Sequence, residues 1–87
     1  MGDKAKVAEA WGGLGLLRTA QAVYYLDNNT YADAIGDINF DDPADDIFAY
    51  TINAGNATNF KAFANGQGSE ANIDVWITRN SRGYTVS

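Results

Sequence analysis

The apolar residues of this chain change their spacing once, and that change decides the fold class. From Asp3 to about Leu26 there is no proline, and Val7, Ala10, Leu14, Leu17 and Tyr24 recur at the three-and-four spacing of one helical face. Beyond Pro43, the only proline, the period drops to two. Phe48-Tyr50-Ile52, Phe60-Ala62-Ala64, Ile73-Val75-Ile77 and Tyr84-Val86 alternate with more polar residues, and Gly or Asn clusters separate them. A long helix followed by a meander of short strands is the order of an α+β domain, one helix packed on a four-stranded antiparallel sheet. The expected bounds are helix 3–27, connector 28–46 and strands 47–87, in a single domain 1–87.

The ends of these elements carry their own signals. Asn28-Asn29 closes the helix, because asparagine tolerates the left-handed conformation that terminates many helices. Asn80-Ser81-Arg82-Gly83 joins the last two strands with tight-turn chemistry. Residues 27 to 46 hold seven aspartates and no Lys or Arg, with apolar anchors at Tyr31, Ile35, Ile38 and Phe40. So long a connection predicts a short helical turn near Tyr31–Ile35.

Composition narrows the chemistry. In 87 residues Leu, Ile, Val and Phe fill only 18 positions while alanine fills 14, so the core is thin and leans on aromatics. Histidine and cysteine are both absent, which removes the imidazole base, the thiolate nucleophile, any disulfide and ordinary zinc or haem ligation. The missing cysteines leave the redox compartment undecided. A net charge of -5 argues against nucleic acid, since counterion release needs clustered Lys and Arg. No apolar run is long enough for a membrane span. Met1-Gly2 does not open a myristoylation motif, because Lys6 stands where Ser or Thr is required.

Carboxylates are the remaining reactive groups. Asp41, Asp42, Asp45 and Asp46 are hard oxygen donors close together, and calcium is the candidate ion; the alternative is a solvated acidic loop, and the spacing does not match an EF-hand. Paired carboxylates serve glycosidases only across a cleft of about 5–9.5 Å. One helix on a small sheet offers little concavity, so the chain is read as not an enzyme. Gly13-Leu14-Gly15 is no dinucleotide fingerprint, since no strand precedes it and Arg18 takes the place of the third glycine. Asn28-Asn29-Thr30 and Asn56-Ala57-Thr58 match the short glycosylation pattern, which arises often by chance. Trp11, Tyr24, Tyr25, Tyr31, Trp76 and Tyr84 read first as core and boundary. A carbohydrate-binding platform is the second reading, and its mark would be two coplanar exposed rings on one face.

The helix has a second apolar side. At about 100° per residue, Leu16 and Val23 fall opposite Val7, Leu14 and Tyr25. A helix that covers one small sheet needs only one such face. Gly12, Gly13 and Gly15 each cost about 0.5–1 kcal/mol in a helix interior relative to alanine, a loss that close approach of another helix would offset. A bent or flexible first segment is the alternative.

Lys4-Ala5-Lys6-Val7, Leu17-Arg18-Thr19-Ala20-Gln21 and Tyr24-Tyr25-Leu26-Asp27-Asn28-Asn29-Thr30-Tyr31 together resemble the head-domain helix of bacterial type IV pilins and pseudopilins. The resemblance covers about the first third of the chain. It implies a secreted structural subunit of a cell-surface filament, in contact with identical subunits and membrane-anchored before assembly by an apolar half-helix that precedes these residues. It also implies an assembly face on the helix, to which Trp11, Leu16 and Val23 are assigned, with Val7, Leu14, Leu17 and Tyr24 on the sheet side. Which face does which job stays open at this point. The major pseudopilin of type II secretion resembles the chain less, because its Asp-Pro-Trp-Gly stretch is not found. A small secreted ligand-binding module is the other alternative.

Overall fold

The computed structural model describes residues 2–41 and 47–86. Helix α1 runs Gly2–Asn28, and strands β1 (Phe48–Gly55), β2 (Phe60–Gly66), β3 (Ile73–Thr78) and β4 (Arg82–Val86) form one sheet in the order β1-β2-β3-β4. Every neighbouring pair is antiparallel. The fold is thus α+β, one long helix on a four-stranded meander. At about 1.5 Å rise per residue, the 27 residues of α1 account for the full 40 Å long axis of the molecule.

The two periods meet in the core. Val7, Ala10, Leu14 and Leu17 of α1 are buried against Phe48, Tyr50, Phe60, Ala62, Ala64, Ile73, Val75 and Ile77, the inward phase of β1 to β3. Alanines in the middle of β2 allow this: small side chains let the helix settle close over β2 and β3, where its sheet contacts concentrate. At β4 the cover runs out. Tyr84 and Val86 face the same side as Val75 and Ile73 in register, yet stay 42% and 43% exposed.

Of Gly12, Gly13 and Gly15, Gly13 is the one whose missing side chain the fold uses. A Cβ there would strike the Tyr50 ring and hydroxyl, whereas one at Gly12 or Gly15 would meet nothing within 4 Å. Gly13→Ala is therefore expected to destabilise by about 1–3 kcal/mol through overpacking, despite alanine's better helix propensity. Chemical denaturation checks this; a stabilised variant would show that Tyr50 yields.

Residues 31 and 32 of the connector are held by hydrogen bonds to α1 and to the β1–β2 turn. Gln21 is fully buried, and its amide exchanges two hydrogen bonds with one backbone unit: Nε2 donates to the Ala32 carbonyl at 2.9 Å, and Ala32 N–H donates to Oε1 at 2.8 Å. Tyr31 N–H donates to the Asn56 carbonyl at 2.9 Å, so the chain is pinned in extended form where a helical turn was expected. The turn forms just later, as a 3-10 segment at Ile35–Asp37. At the other flank, Arg18 Nη2 donates to the carbonyls of Thr78 (3.0 Å) and Ser81 (3.2 Å), tying α1 to the β3–β4 turn. Asn29 closes α1 with φ 56°. Asn29→Gly should relieve the left-handed cost of about 1 kcal/mol, raising the melting temperature by about 4–8 °C for a domain of this size.

Candidate functional site

The surface with the strongest claim to function is the side of α1 turned away from the sheet. Ala8, Gly12, Leu16, Thr19, Val23 and Leu26 follow one another at helical spacing, and all are exposed. Leu16 is 55%, Val23 54% and Leu26 81% exposed. Gly15 and Ala22 lie beside them, so an uncharged stripe roughly 100° or more wide runs along the helix, with Glu9 and Asp27 at its border. Solvent-facing helix surfaces ordinarily carry charge, and this one does not.

The stripe borders a groove. Between α1 and the segment after the 3-10 turn lies a hollow of 300 Å³ lined by Leu16, Thr19, Ala20, Val23, Asn39 and Asp41. A second hollow of 270 Å³ continues it past Tyr24 toward Asp27 and Asp37. The connector thus builds a wall beside the apolar stripe, with carboxylates on its rim. Apolar floor and acidic rim suit packing against another protein surface better than holding a small polar molecule.

The sequence-assigned face divides in two. Leu16 and Val23 stand together on the free side. Trp11 does not join them: about 140° of helical rotation at 100° per residue separates it from Leu16. Its ring is half-buried against β4, with the Tyr84 ring centroid 5.9 Å away edge-on and the Arg82 guanidinium 4.1 Å from its own centroid. The uncovered inner edge of β4 draws Trp11 down, and its buried indole N–H has no hydrogen-bond partner among the described residues. Trp11 therefore stands toward the sheet side of α1, apart from Leu16 and Val23.

Of the proposed calcium donors, Asp41 is exposed, and Asp42, Asp45 and Asp46 lie outside the described residues. Among the described residues no three carboxylates come together as a metal site. Asn28 and Asn56 use their side chains locally. Asn28 Nδ2 donates to the Tyr24 carbonyl at 2.9 Å, and Asn56 Oδ1 accepts from the N–H groups of Thr58 and Asn59, each at 2.9 Å. Tyr25, Tyr31 and Phe60 form a chain of rings, with centroids 4.7 and 5.1 Å apart, that fastens the connector to the sheet.

Sequence reasoning missed Gln21 and Phe63. Gln21 sits four residues after Leu17, in the buried phase, and a polar residue at an apolar position is the signal that finds it. Phe63 stands in the outward phase of β2, as Trp76 does on β3, and the two face each other across the ladder. An aromatic out of step with its strand was the readable sign. No family model matches the chain, and neither a curated protein nor a solved structure matches it.

Proposed function

We propose that this chain is the head domain of a structural subunit in an extracellular, type IV pilus-like filament, which self-assembles through α1. The observation that carries the reading is the uncharged, exposed stripe of Gly12, Leu16, Val23 and Leu26. A Cβ at Gly12 or Gly15 would meet nothing within 4 Å among the described residues, so no close contact there offsets their helix-propensity cost. Close approach of helices from sister subunits recovers it, and burial of Leu16, Val23 and Leu26 contributes on the order of 1–2 kcal/mol each. The resemblance of the helix and its exit to pilins points the same way. In this reading the subunit is anchored in the membrane before assembly, through an apolar segment ahead of α1. A secretion pseudopilus would use the same face, and no contact in the fold favours it over a pilus.

Assembly and folding separate cleanly in this arrangement. Gly12→Ala and Gly15→Ala are expected to stabilise the isolated chain by about 0.5–1 kcal/mol each, read as a higher melting temperature. The same substitutions should reduce the filament yield from producing cells. Leu16→Lys with Val23→Lys should leave the fold within about 0.5 kcal/mol and abolish filaments in electron micrographs of sheared cell-surface material labelled for this chain. Unchanged filaments in the lysine variant, or filaments that never contain the chain, would refute the proposal.

A further inference from the structure

The geometry points to a carbohydrate-binding platform on the outer face of the sheet, the face turned away from α1, with a neutral oligosaccharide as its ligand. Phe63 and Trp76 are directly paired across β2 and β3, both half-buried on the solvent side. A Cβ at Gly83 would run into the Trp76 indole, so the ring lies over the β4 backbone and is laid along the sheet instead of standing off it. Lys61 reaches over the pair, its ammonium 5.4 Å from the Phe63 centroid and 5.0 Å from that of Trp76. The ring faces thus already attract a cation in the free protein, and a ligand that stacks there displaces the Lys61 ammonium from them.

Polar groups flank the aromatic pair on both sides. One step along the sheet, Asn65 faces Asp74, and Asp74 faces Thr85 on β4. Outward positions on a strand are spaced by about 6.8 Å, so these groups stand at one edge of the rings, while Lys61 starts from the other edge and lays its ammonium over the ring faces. Among the described residues, the side chains of Asn65, Asp74 and Thr85 hydrogen-bond to nothing in the chain, whereas Asn56, Asn59, Thr78 and Ser81 at the strand ends are committed to turns. The hollow over this surface is 480 Å³ and open, within the range of about 300–1,000 Å³ typical of small-ligand sites.

The chemistry selects among occupants. A pyranose has a flat face of electropositive C–H groups for the rings and an equator of hydroxyls that both donate and accept. Those hydroxyls match the carboxylate, amide and hydroxyl at one edge of the rings, and the Lys61 ammonium once it has left the ring faces. A nucleic acid base would also stack, but Asp74 and the net charge of -5 repel the accompanying phosphates. A lipid surface or an apolar helix needs a continuous apolar patch, and here polar rows interrupt it. The same carboxylate makes a neutral sugar a better fit than an acidic one.

The test is an amide and indole NMR titration of the 87-residue chain with cellotriose, maltotriose and chitotriose, each up to about 10 mM. An open groove predicts saturation near 1 mM, in order of magnitude, with at least one trisaccharide. Shifts should gather at the Trp76 indole N–H and at Phe63, Asn65 and Asp74, while the Trp11 indole stays still. Trp76→Ala uncovers Gly83 and disturbs the fold, so Phe63→Thr carries the mutational arm; about tenfold weaker binding with an unchanged spectrum elsewhere is expected. No saturable shift with any of the three sugars overturns the inference. So do shifts shared equally by Trp11, or full affinity in the Phe63 variant. The site lies opposite the assembly face, so its failure leaves the filament proposal standing and failure of the filament proposal leaves it intact.

Discussion

Gln21→Leu should cost the fold about 2–4 kcal/mol, although leucine is the more apolar residue and the better helix former. The reason is the partner left behind. Gln21 is 0% exposed and satisfies both the N–H and the carbonyl of Ala32, and Ala32 is itself 2% exposed. Each buried backbone group stranded by the substitution costs about 1–3 kcal/mol, more than leucine recovers by packing. Gln21→Glu should be worse, since a carboxylate accepts from Ala32 N–H but cannot donate to its carbonyl and carries charge into the core. Urea denaturation measures the loss, and hydrogen exchange locates it: the amides of Tyr31 and Ala32 should lose protection before those of β2 and β3. A leucine variant as stable as the parent would mean that the connector is held by its aromatic chain alone.

Leu14→Ala should produce the larger loss, about 3–5 kcal/mol. Leu14 is 0% exposed at the middle of the helix–sheet contact, beside Gly13, whose position is filled by Tyr50. A core in which alanine occupies Ala10, Ala62 and Ala64 has few large neighbours able to move into the gap, which places the cost in the upper part of the usual range. Native stability is about 0.05–0.15 kcal/mol per residue, or about 4–13 kcal/mol for 87 residues, so the loss takes a large share of the total and, at the low end of that range, all of it. The expected observation is a broad, low-temperature melt or a chain largely unfolded at 25 °C, by near-ultraviolet circular dichroism. Loss of less than about 1 kcal/mol would show that the sheet closes on the helix more freely than its packing implies.

What the sequence made legible follows from how local each interaction is. The helix, its stop at Asn29 and the four strands rest on spacing and turn chemistry; the helix came out within a residue, while β1 runs on three residues past Ile52 to Gly55 and β4 begins at Arg82, inside the stretch read as the turn. The buried face of α1 was likewise written in Val7, Leu14 and Leu17. Trp11 was harder, because its place depends on how far β4 extends beyond the helix, a tertiary quantity that leaves no mark in the helical repeat. Arg18 binds carbonyls 60 and 63 residues away, and those acceptors are backbone, so no residue type announces them. The connector's turn was displaced for the same reason, since Gln21 and Asn56 hold residues 31 and 32 extended from outside the segment. The free stripe of α1 was visible as a second apolar phase, but only the fold shows that Gly12 and Gly15 face open space while Gly13 does not.

The central claim is that the free face of α1 is covered by other copies of this chain. Because the chain has no cysteine of its own, single cysteines can be placed and cross-linked without background. In filaments recovered from producing cells, Leu16→Cys together with Val23→Cys in one chain should yield oxidised ladders of linked chains, while the single Thr85→Cys on the outer sheet should yield no disulfide-linked dimer. Linked dimers from Thr85, or no linked chains from the helix positions, would contradict the account.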